Sequence, residues 1–320
     1  MRLLFCGTPQ FAVPTLRHLL KLHDRAVLGV ITQPDRPRGR GHQLSFSPVK
    51  QVALEAGLPV LQPEKIRSAE AEEALQKFDP DVIVIIAYGQ IIPARLLSIP
   101  KFGWINLHAS LLPRYRGAAP VNWAIANGET VTGLTTMRIN AGMDTGDILL
   151  QKEIPIGSAE TAPELATRMA EAGAPLMADT LRGWAASTID ARPQDHAQAT
   201  LAPILRKEDG RIDWTRTARE IFNRMRAFVP WPGAYTSFRG QNCHLWGEPV
   251  SNGLPAAELP LRKGASPGTL FVHGNGIMVD CGSATLLRLL HVKMEGRKQV
   301  SAREFVGGAH VIDGERFSQS

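Results

Sequence analysis

Two polar residues, at positions 106 and 108, lie in the short apolar segment Trp104-Ile-Asn-Leu-His. Side chains two positions apart in an extended chain share a face, so Asn106 and His108 point together while Ile105 and Leu107 anchor the other face. An amide NH2 and a ring N–H aimed at one carbonyl oxygen are suited to stabilising an oxyanion, and imidazole also moves protons near neutral pH. Taken alone, such a pair is more often a strand end and a hydrogen-bonded core histidine.

A carboxylate, Asp144, lies in the glycine-containing loop Asn140-Ala-Gly-Met-Asp-Thr-Gly-Asp. The apolar runs on either side, 131–139 and 148–156, predict strands, and a loop between them can return Asp144 to the strand end that carries Asn106 and His108. A lone aspartate in a turn is more often a solvated Asx-turn residue. The three side chains together indicate a reaction centre that combines oxyanion stabilisation with proton transfer.

The N-terminal part of the chain alternates apolar strands with amphipathic helices. This alternation predicts an α/β fold with a doubly wound, mostly parallel sheet, whose ligands bind at the carboxyl ends of the strands. The turn Gly7-Thr-Pro-Gln-Phe lacks the second and third glycines of the dinucleotide fingerprint, so we do not expect NAD. The predicted strands are 3–7, 26–32, 82–87 and 103–107, and the predicted helices begin near residues 11, 48, 69 and 117.

A long helix from about 162 to 184 closes the first predicted domain, and the polar, proline-containing segment 185–205 is typical of a linker. A helix at 217–227 follows it. Five short strands with glycine- and proline-rich turns then predict a small OB-like β-barrel. These strands are 234–238, 243–246, 268–272, 276–279 and 285–292.

Composition is ordinary for a globular protein of 320 residues, with 44% apolar and 21% charged residues. Residues 1–205 hold 20 Lys plus Arg against 19 Asp plus Glu, whereas residues 206–320 hold 16 against 11. The excess positive charge of the C-terminal third suits a polyanionic partner, although basic surfaces often serve only solubility. Three distant cysteines without metal-ligand spacing and the lack of a signal or membrane-span pattern indicate a cytoplasmic protein.

The segment from Arg36 to Lys50 carries four basic residues and no acidic one, directly after a predicted strand. Long insertions of this kind in a compact fold are usually functional, although a solvated surface loop is the ordinary alternative. Arg114 and Arg116, beside Tyr115, are either a stacking and phosphate platform or ordinary charges at the start of a helix.

Several motifs along nearly the whole chain resemble those of the methionyl-tRNA formyltransferase family. The resemblance implies a formyltransferase catalytic domain at 1–184 with a tRNA-binding loop at 33–50, a linker at 185–205 and an OB-like tRNA-binding domain at 206–320. It implies that Asn106, His108 and Asp144 transfer formyl from 10-formyltetrahydrofolate to methionyl initiator tRNA without a metal. The motifs are Phe5-Cys-Gly-Thr-Pro-Gln-Phe, Thr32-Gln-Pro-Asp-Arg-Pro-Arg-Gly-Arg-Gly, Ser47-Pro-Val-Lys, Ala87-Tyr-Gly, Asn106-Leu-His-Ala-Ser-Leu-Leu-Pro-Arg-Tyr-Arg-Gly-Ala-Ala-Pro, Gly142-Met-Asp-Thr-Gly-Asp, Arg211-Ile-Asp-Trp and Phe228-Val-Pro-Trp-Pro-Gly.

Binding residues also follow from the resemblance. The pterin is expected to be bound by backbone groups around residues 88–92 and by the Asp144 loop, with 110–113 lying along the folate. Arg40 is expected to make the most important contact with the tRNA acceptor arm. The folate set is Tyr88, Gln90, Ile91, Ile92, Ser110, Leu111, Leu112 and Pro113, and the tRNA set is Arg36, Arg38, Arg40, Lys50, Arg114 and Arg116.

Other functions on the same residues stay open at this stage. They are a formyltransferase acting on an amino sugar or nucleotide, a 10-formyltetrahydrofolate hydrolase, and an inactive RNA-binding protein that keeps the fold. The arginine-rich insertion argues against the first two, because a small acceptor does not need it. The complete Asn106, His108 and Asp144 set argues against the third. A monomer without membrane partners is expected.

Overall fold

The computed structural model describes residues 1–38, 43–250, 266–273 and 276–318, apart from the side chains of residues 37, 38, 43, 44 and 273. Its contacts divide the chain into two compact units. Unit 1 comprises residues 1–120, 131–156 and 164–203, and unit 2 comprises residues 121–130, 157–163 and 204–320. Both predicted sheet types, one mostly parallel and one antiparallel and curled, are confirmed.

Unit 1 is built on a seven-stranded sheet in the order β5-β2-β1-β6-β7-β8-β9. The first five of these strands are mutually parallel, whereas β8 is antiparallel to both of its neighbours. The strands of the N-terminal part are β1 (Arg2–Gly7), β2 (Ala26–Ile31), β3 (Arg36–Arg38), β4 (Gln43–Ser45), β5 (Val60–Leu61), β6 (Val82–Ile86), β7 (Trp104–His108), β8 (Val131–Arg138) and β9 (Ile148–Pro155). The helices of unit 1 are α1 (Val13–Leu20), α2 (Pro48–Glu55), α3 (Ala69–Phe78), α4 (Ala94–Leu97) and most of α6 (Ala162–Ala185), whereas α5 (Pro120–Ala126) belongs to unit 2 from residue 121 onwards.

Local sequence explains the central elements. All five residues of β6 are buried, as expected for a parallel strand covered on both faces. Ser47 caps α2 by accepting a hydrogen bond from the Lys50 backbone, and Pro48 occupies the first turn. Because β1, β6 and β7 are parallel, their carboxyl ends meet at one edge of the sheet, where the chain continues into loops.

The basic insertion after β2 contains a small antiparallel hairpin formed by β3 and β4. The sequence pattern predicts only a loop here, because the three-residue strands Arg-Pro-Arg and Gln-Leu-Ser carry no apolar alternation. Residues 39–42, which include Arg40, lie outside the described residues.

The end of unit 1 makes specific backbone contacts rather than crossing open solvent. The backbone oxygen of Thr200 accepts a hydrogen bond from the Arg116 N–H at 2.8 Å, and the Ala202 N–H donates to the Arg116 oxygen at 2.7 Å. The segment predicted as a linker therefore includes residues that lie against the end of the motif that carries His108.

Unit 2 contains an antiparallel sheet in the order β12-β13-β14-β11-β10-β16, with β15 pairing with β14. An antiparallel bridge between Thr269 and Arg316 brings the two sheet edges together, which gives the OB-like curl. In its core, Trp214 stacks on Phe317 with ring centroids 5.4 Å apart. The elements are α7 (Ala218–Ala227), β10 (Tyr235–Phe238), β11 (Gln241–Pro249), β12 (Leu270–His273), β13 (Gly276–Cys281), β14 (Thr285–Met294), β15 (Val300–Ser301), α8 (Ala302–Ala309) and β16 (Phe317–Ser318).

Helix α8 has no counterpart among the predicted elements. Its start is defined by a capping box in which Ser301 and Glu304 satisfy each other's backbone N–H groups. The pair Gly307-Gly308 lies inside the helix and weakens its sequence signal, because glycine is a poor helix former. Packing of the buried Phe305 into the core of unit 2 offsets that cost.

Candidate active site

Strand β7 places Asn106 and His108 at the carboxyl edge of the unit 1 sheet. Asn106 pairs with Ile85 of β6 and Met137 of β8, and His108 pairs with Thr135 of β8. Ile105 and Leu107 are buried in the core and hold the strand in place. Because side chains alternate along a strand, Asn106 and His108 project from the same face.

The imidazole of His108 is buried, and its Nε2 atom lies 2.9 Å from the backbone oxygen of Tyr115. A carbonyl oxygen only accepts hydrogen bonds, so Nε2 carries the hydrogen in this contact. The tautomer is therefore fixed by the backbone oxygen of Tyr115. Nδ1 is the ring nitrogen that remains to exchange a proton.

Asp144 faces this second ring nitrogen. Its Oδ2 atom lies 3.6 Å from Nδ1 of His108 and accepts a hydrogen bond of 2.9 Å from the Gly117 N–H. The separation from Nδ1 is longer than a direct hydrogen bond, so the carboxylate acts on the ring through its charge or through a bridging water. Asp144 has a left-handed backbone, with φ at +53°.

The side-chain amide of Asn106 is half-buried and makes no hydrogen bond among the residues that the structure describes. Its two donors are therefore available to a ligand. Together with Nδ1 of His108 and the Asp144 carboxylate, the site offers a neutral donor, a proton carrier and a fixed negative charge. This combination suits addition of a nucleophile to a carbonyl-like carbon.

The predicted folate residues 110–113 form a rigid turn beside the catalytic strand. Ser110 is fully buried, and its Oγ donates to the Arg114 backbone oxygen at 2.6 Å. Gln151 Nε2 donates to the Leu112 oxygen at 2.9 Å, and the Leu112–Pro113 peptide bond is cis. Leu111 packs against Gly133, where an added Cβ would collide with its side chain. The polar groups of Ser110 and Leu112 are thus engaged within the protein.

The second predicted folate stretch, 88–92, offers both backbone and apolar surface. Tyr88 and Ile92 are buried, whereas the Ile91 side chain is 88% exposed. The backbone oxygen of Tyr88 already accepts hydrogen bonds from Thr8 Oγ1 at 3.2 Å and Gln33 Nε2 at 3.0 Å. Gln90 accepts from the Ile66 N–H at 2.7 Å. Ile91 is consequently the side chain of this stretch that is most open to a flat apolar ligand.

The buried tyrosine and cysteine of this region are not proton carriers near neutral pH. Burial raises the pKa of the Tyr88 phenol, and Cys6 adds to the shift. Burial alone raises the pKa of the Cys6 thiol well above its ordinary value. His108 and Asp144 are therefore better placed than either of these groups for acid–base chemistry.

A separate cavity of about 360 Å³ lies between β2, β5 and α3 and is lined mainly by Ile31, Leu61, Ile66 and Leu75. Strands β1 and β6 separate β2 from β7. The cavity contains none of the predicted catalytic residues, so we do not assign it to the reaction.

The predicted tRNA residues differ widely in exposure. Arg36 is exposed on β3, and Arg38 lies on the same strand with its side chain undescribed. The exposed Arg114 packs its guanidinium over the Tyr115 ring, 5.4 Å from the centroid. By contrast, Lys50 is paired with Asp35 and donates to Gln62 Oε1 at 2.7 Å.

Arg116 also departs from the expected surface role. It is buried, and its Nε and Nη2 atoms donate to Gln194 Oε1 at 3.1 and 2.6 Å. Gln194 in turn donates to the backbone oxygens of Asp144 and Gly146. The sequence analysis did not identify Gln194, because it lies in a polar, proline-containing segment without periodicity. The role of Gln194 is visible only in its contacts with residues distant in sequence, which no local sequence pattern indicates.

Two family models match the chain. The formyl transferase model matches residues 1–181, and the formyl transferase C-terminal domain model matches residues 204–310. The methionyl-tRNA formyltransferase of Koribacter versatilis is 52% identical over 310 residues, which cover 96% of each chain. The chain belongs to the methionyl-tRNA formyltransferase family. The family member from Acidobacterium capsulatum has the same identity and the same coverage.

A solved structure shares the fold at low sequence identity. The N-formyltransferase from Helicobacter canadensis, in complex with folinic acid and dTDP-3-aminofucose, aligns with a TM-score of 0.63 and 19% identity. The alignment covers 90% of this chain and 98% of that one. As a member of the methionyl-tRNA formyltransferase family, the chain is an enzyme. Over the described ranges, no helix is long and apolar enough to cross a membrane.

Proposed function

We propose that this chain transfers the formyl group of 10-formyltetrahydrofolate to the α-amino group of methionyl initiator tRNA, and that Asn106, His108 and Asp144 catalyse the transfer. One observation carries the proposal. In this member of the family, the unengaged Asn106 amide lies on the same strand face as His108, and the Asp144 carboxylate lies 3.6 Å from Nδ1 of that histidine. The product, formylmethionyl-tRNA, serves translation initiation.

The amide of Asn106 acts on the formyl oxygen. The free amine attacks the formyl carbon, a C–N bond forms, and the carbon becomes tetrahedral while its oxygen gains negative charge. Asn106 donates a hydrogen bond to that oxygen, which strengthens as the charge develops. The bond from the carbon to N10 of the folate then breaks, and the carbonyl is restored on the methionine nitrogen.

Proton transfer completes the reaction. The attacking amine must lose one proton and the leaving folate nitrogen must gain one. Nδ1 of His108 takes up and returns this proton, while Nε2 stays bound to the Tyr115 oxygen. The negative charge of Asp144 stabilises the imidazolium formed in between, directly or through a bridging water.

For the folate, the structure supports different roles for the two predicted stretches, 88–92 and 110–113. The exposed Ile91 supplies apolar surface to the pterin, and backbone groups of residues 88–92 and of the Asp144 loop recognise its edges. Residues 110–113, which are engaged internally, fix the wall along which the folate lies. No metal takes part in this proposal.

For the tRNA, we assign contacts to Arg36, Arg38, Arg40 and Arg114, because guanidinium groups bind phosphates and stack on unpaired bases. Lys50 supports the base of the insertion through Asp35 and Gln62. The predicted role of Lys50 in direct binding is therefore replaced by a structural one, and the same holds for the buried Arg116.

Unit 2 offers a second basic surface. Strands β11 and β14 place His244 opposite Lys293 and Trp246 opposite His291. Lys293 and His291 are exposed, and Trp246 is partly exposed. A lysine ammonium beside an aromatic ring suits a nucleic-acid backbone and its bases. This face supports the assignment of 206–320 as a tRNA-binding domain beside a catalytic domain at 1–184. We further propose a cytoplasmic monomer without membrane partners.

The acceptor is tested by supplying the purified chain with 10-formyltetrahydrofolate and one of three acceptors: methionyl initiator tRNA, a dTDP-linked amino sugar, or none. Formyl transfer to the tRNA alone is the expected result. Transfer to the amino sugar would replace the proposal with the sugar reaction. Folate turnover without an acceptor would indicate a hydrolase, and no turnover a binding protein.

A further inference from the structure

The segment 115–117 makes hydrogen bonds to two of the three proposed catalytic side chains, His108 and Asp144. The Tyr115 oxygen binds Nε2 of His108, and the Gly117 N–H donates to the Asp144 carboxylate. Between them, the side chain of Arg116 reaches the backbone of the Asp144 loop through Gln194. The segment 115–117 is thus connected to the reaction centre by every one of its residues.

Arg116 is an unusual residue to bury. It is 7% exposed and forms no ion pair with any residue in the described parts of the chain. Its guanidinium makes two hydrogen bonds to Gln194 Oε1 and one of 3.1 Å to Nδ1 of His196. Burying a charge without a carboxylate partner is costly, so the burial of Arg116 points to a role beyond folding.

The guanidinium determines how the Gln194 amide is oriented. Arginine only donates, so the amide oxygen of Gln194 must face it and the NH2 group must face the opposite way. That NH2 group donates to the Asp144 oxygen at 2.9 Å and the Gly146 oxygen at 2.7 Å. Both of its hydrogens are therefore committed to the loop that carries Asp144.

Asp144 needs such support because its backbone is left-handed, with φ at +53°, a conformation that residues with a Cβ atom adopt only uncommonly. Gly146 cannot carry a side chain, since a Cβ would collide with the Arg138 backbone oxygen. Capture of the two carbonyls by Gln194 holds the turn closed. The carboxylate is then directed at His108 from a fixed backbone.

We propose that Arg116 and Gln194 are positioning residues for catalysis, which hold the Asp144 loop in the conformation that directs its carboxylate at Nδ1 of His108. The inference rests on the proposed function, because it assigns a partner to Asp144 in that reaction. It also makes part of the segment 185–205, expected to be a linker, a component of the active site.

Gln194→Glu separates positioning from simple packing. The new carboxylate pairs with Arg116, so the fold keeps a partner for the buried charge, but it cannot donate to the two loop carbonyls. We expect kcat to fall about 10- to 100-fold with KM for tRNA unchanged, and the thermal unfolding midpoint to fall modestly because two buried carbonyls lose their donors. Gln198→Glu is the matched control, because exposed Gln198 contacts Asp195 and not the loop.

A second arm covers the case in which the single variant lowers stability. In an Asp144→Asn background, Gln194→Glu should cause little further loss of kcat, since its effect passes through Asp144. Arg116→Lys, which keeps the charge and one donor, should retain more activity than Arg116→Met.

An active wild-type enzyme with unchanged kcat in Gln194→Glu would overturn the inference and leave the proposed function intact. Equal losses from Gln194→Glu in the wild-type and Asp144→Asn backgrounds would also overturn it. Absence of formyl transfer by the wild type would instead overturn the proposed function.

Discussion

The backbone oxygen of Tyr115 lies 2.9 Å from Nε2 of His108, and this contact limits how the histidine can act. Because Nε2 is held by an acceptor, only Nδ1 can exchange a proton with the substrates. Nδ1 is also the nitrogen that faces Asp144. The Asp144 carboxylate thus stabilises positive charge on the Nδ1 side of the ring, and the Tyr115 oxygen orients the ring from the Nε2 side.

Asp144→Asn tests the charge without removing the shape of the side chain. The amide oxygen can still accept from the Gly117 N–H, but no negative charge faces Nδ1. Loss of an assisted proton transfer typically costs about 10²- to 10⁴-fold, so we expect kcat to fall within this range. Steady-state kinetics with methionyl initiator tRNA measure it. A variant with near-normal kcat and an unchanged fold would contradict the role of the carboxylate.

Lys50→Met tests the support of the insertion. Lys50 and Asp35 are both mostly buried, so removing the cation leaves the Asp35 carboxylate with Gln62 as its one remaining side-chain partner among the described residues. We expect a loss of about 1–3 kcal/mol in the free energy of unfolding, together with a higher KM for tRNA. Denaturant titration gives the first quantity. Arg67→Met, a change on an exposed loop, should alter neither.

The same pair makes stability depend on pH. Burial raises the pKa of the Asp35 carboxyl, but hydrogen bonds from Lys50 and Gln62 outweigh it and hold the pKa below its ordinary value. A lowered carboxyl pKa contributes stability above the unfolded value of about 4, and this contribution is lost as pH falls further. The stability difference between wild type and Lys50→Met should therefore shrink below about pH 4. A constant difference from pH 7 to pH 3 would contradict the assignment.

Arginines of the insertion should affect tRNA more than folate. Arg36→Ala and Arg40→Ala each remove a charge from this segment, so tRNA affinity and its dependence on salt should both decrease. Each lost phosphate contact lowers the slope of log affinity against log salt by about 0.7–0.9. Filter binding across a salt series measures the slope, with exposed Arg182→Ala as the control. Equal losses of folate and tRNA binding would argue against the role.

The sheet face of unit 2 is tested at Lys293. Lys293→Gln should weaken tRNA binding and reduce the slope of log affinity against log salt by about one.

The same substitution should change the pKa of His244. Burial lowers the pKa of His244, and Lys293 and Lys207 lower it further, so Lys293→Gln should raise that pKa. Because the pKa of His244 is lowered in the folded protein, stability is lost as pH falls through about 6.5, the ordinary pKa of histidine in the unfolded chain. Lys293→Gln should therefore lose less stability than the wild type over this pH range. An NMR titration of His244 that shows no change would contradict this account.

Strands β1 and β6 of unit 1 were predictable because each is an almost continuous buried apolar run, such as the five apolar residues of β6. Their alternation with amphipathic helices determines the parallel sheet and hence the edge where β7 ends. The placement of Asn106 and His108 on one face of β7 follows from the two-residue side-chain alternation of a strand alone. These features depend on residues that are close in sequence, which is why local patterns capture them.

Contacts between distant residues were not predictable in the same way. Gln194 lies 50 residues from Asp144, and no periodicity connects them. Arg114 and Arg116 are alike in sequence, yet one is exposed and the other buried. The left-handed backbone of Tyr115, with φ at +60°, turns the chain between them and breaks the alternation on which a sequence-based prediction depends.

The most direct measurement is the single-turnover rate of formyl transfer from 10-formyltetrahydrofolate to methionyl initiator tRNA, with enzyme in excess, for wild type and Asn106→Ala. Exposed Gln76→Ala on α3 serves as the control. Wild type and control should form formylmethionyl-tRNA at equal rates, while Asn106→Ala should be about 100- to 1,000-fold slower at an unchanged unfolding midpoint. No product from the wild type, or equal rates for all three proteins, would contradict the account.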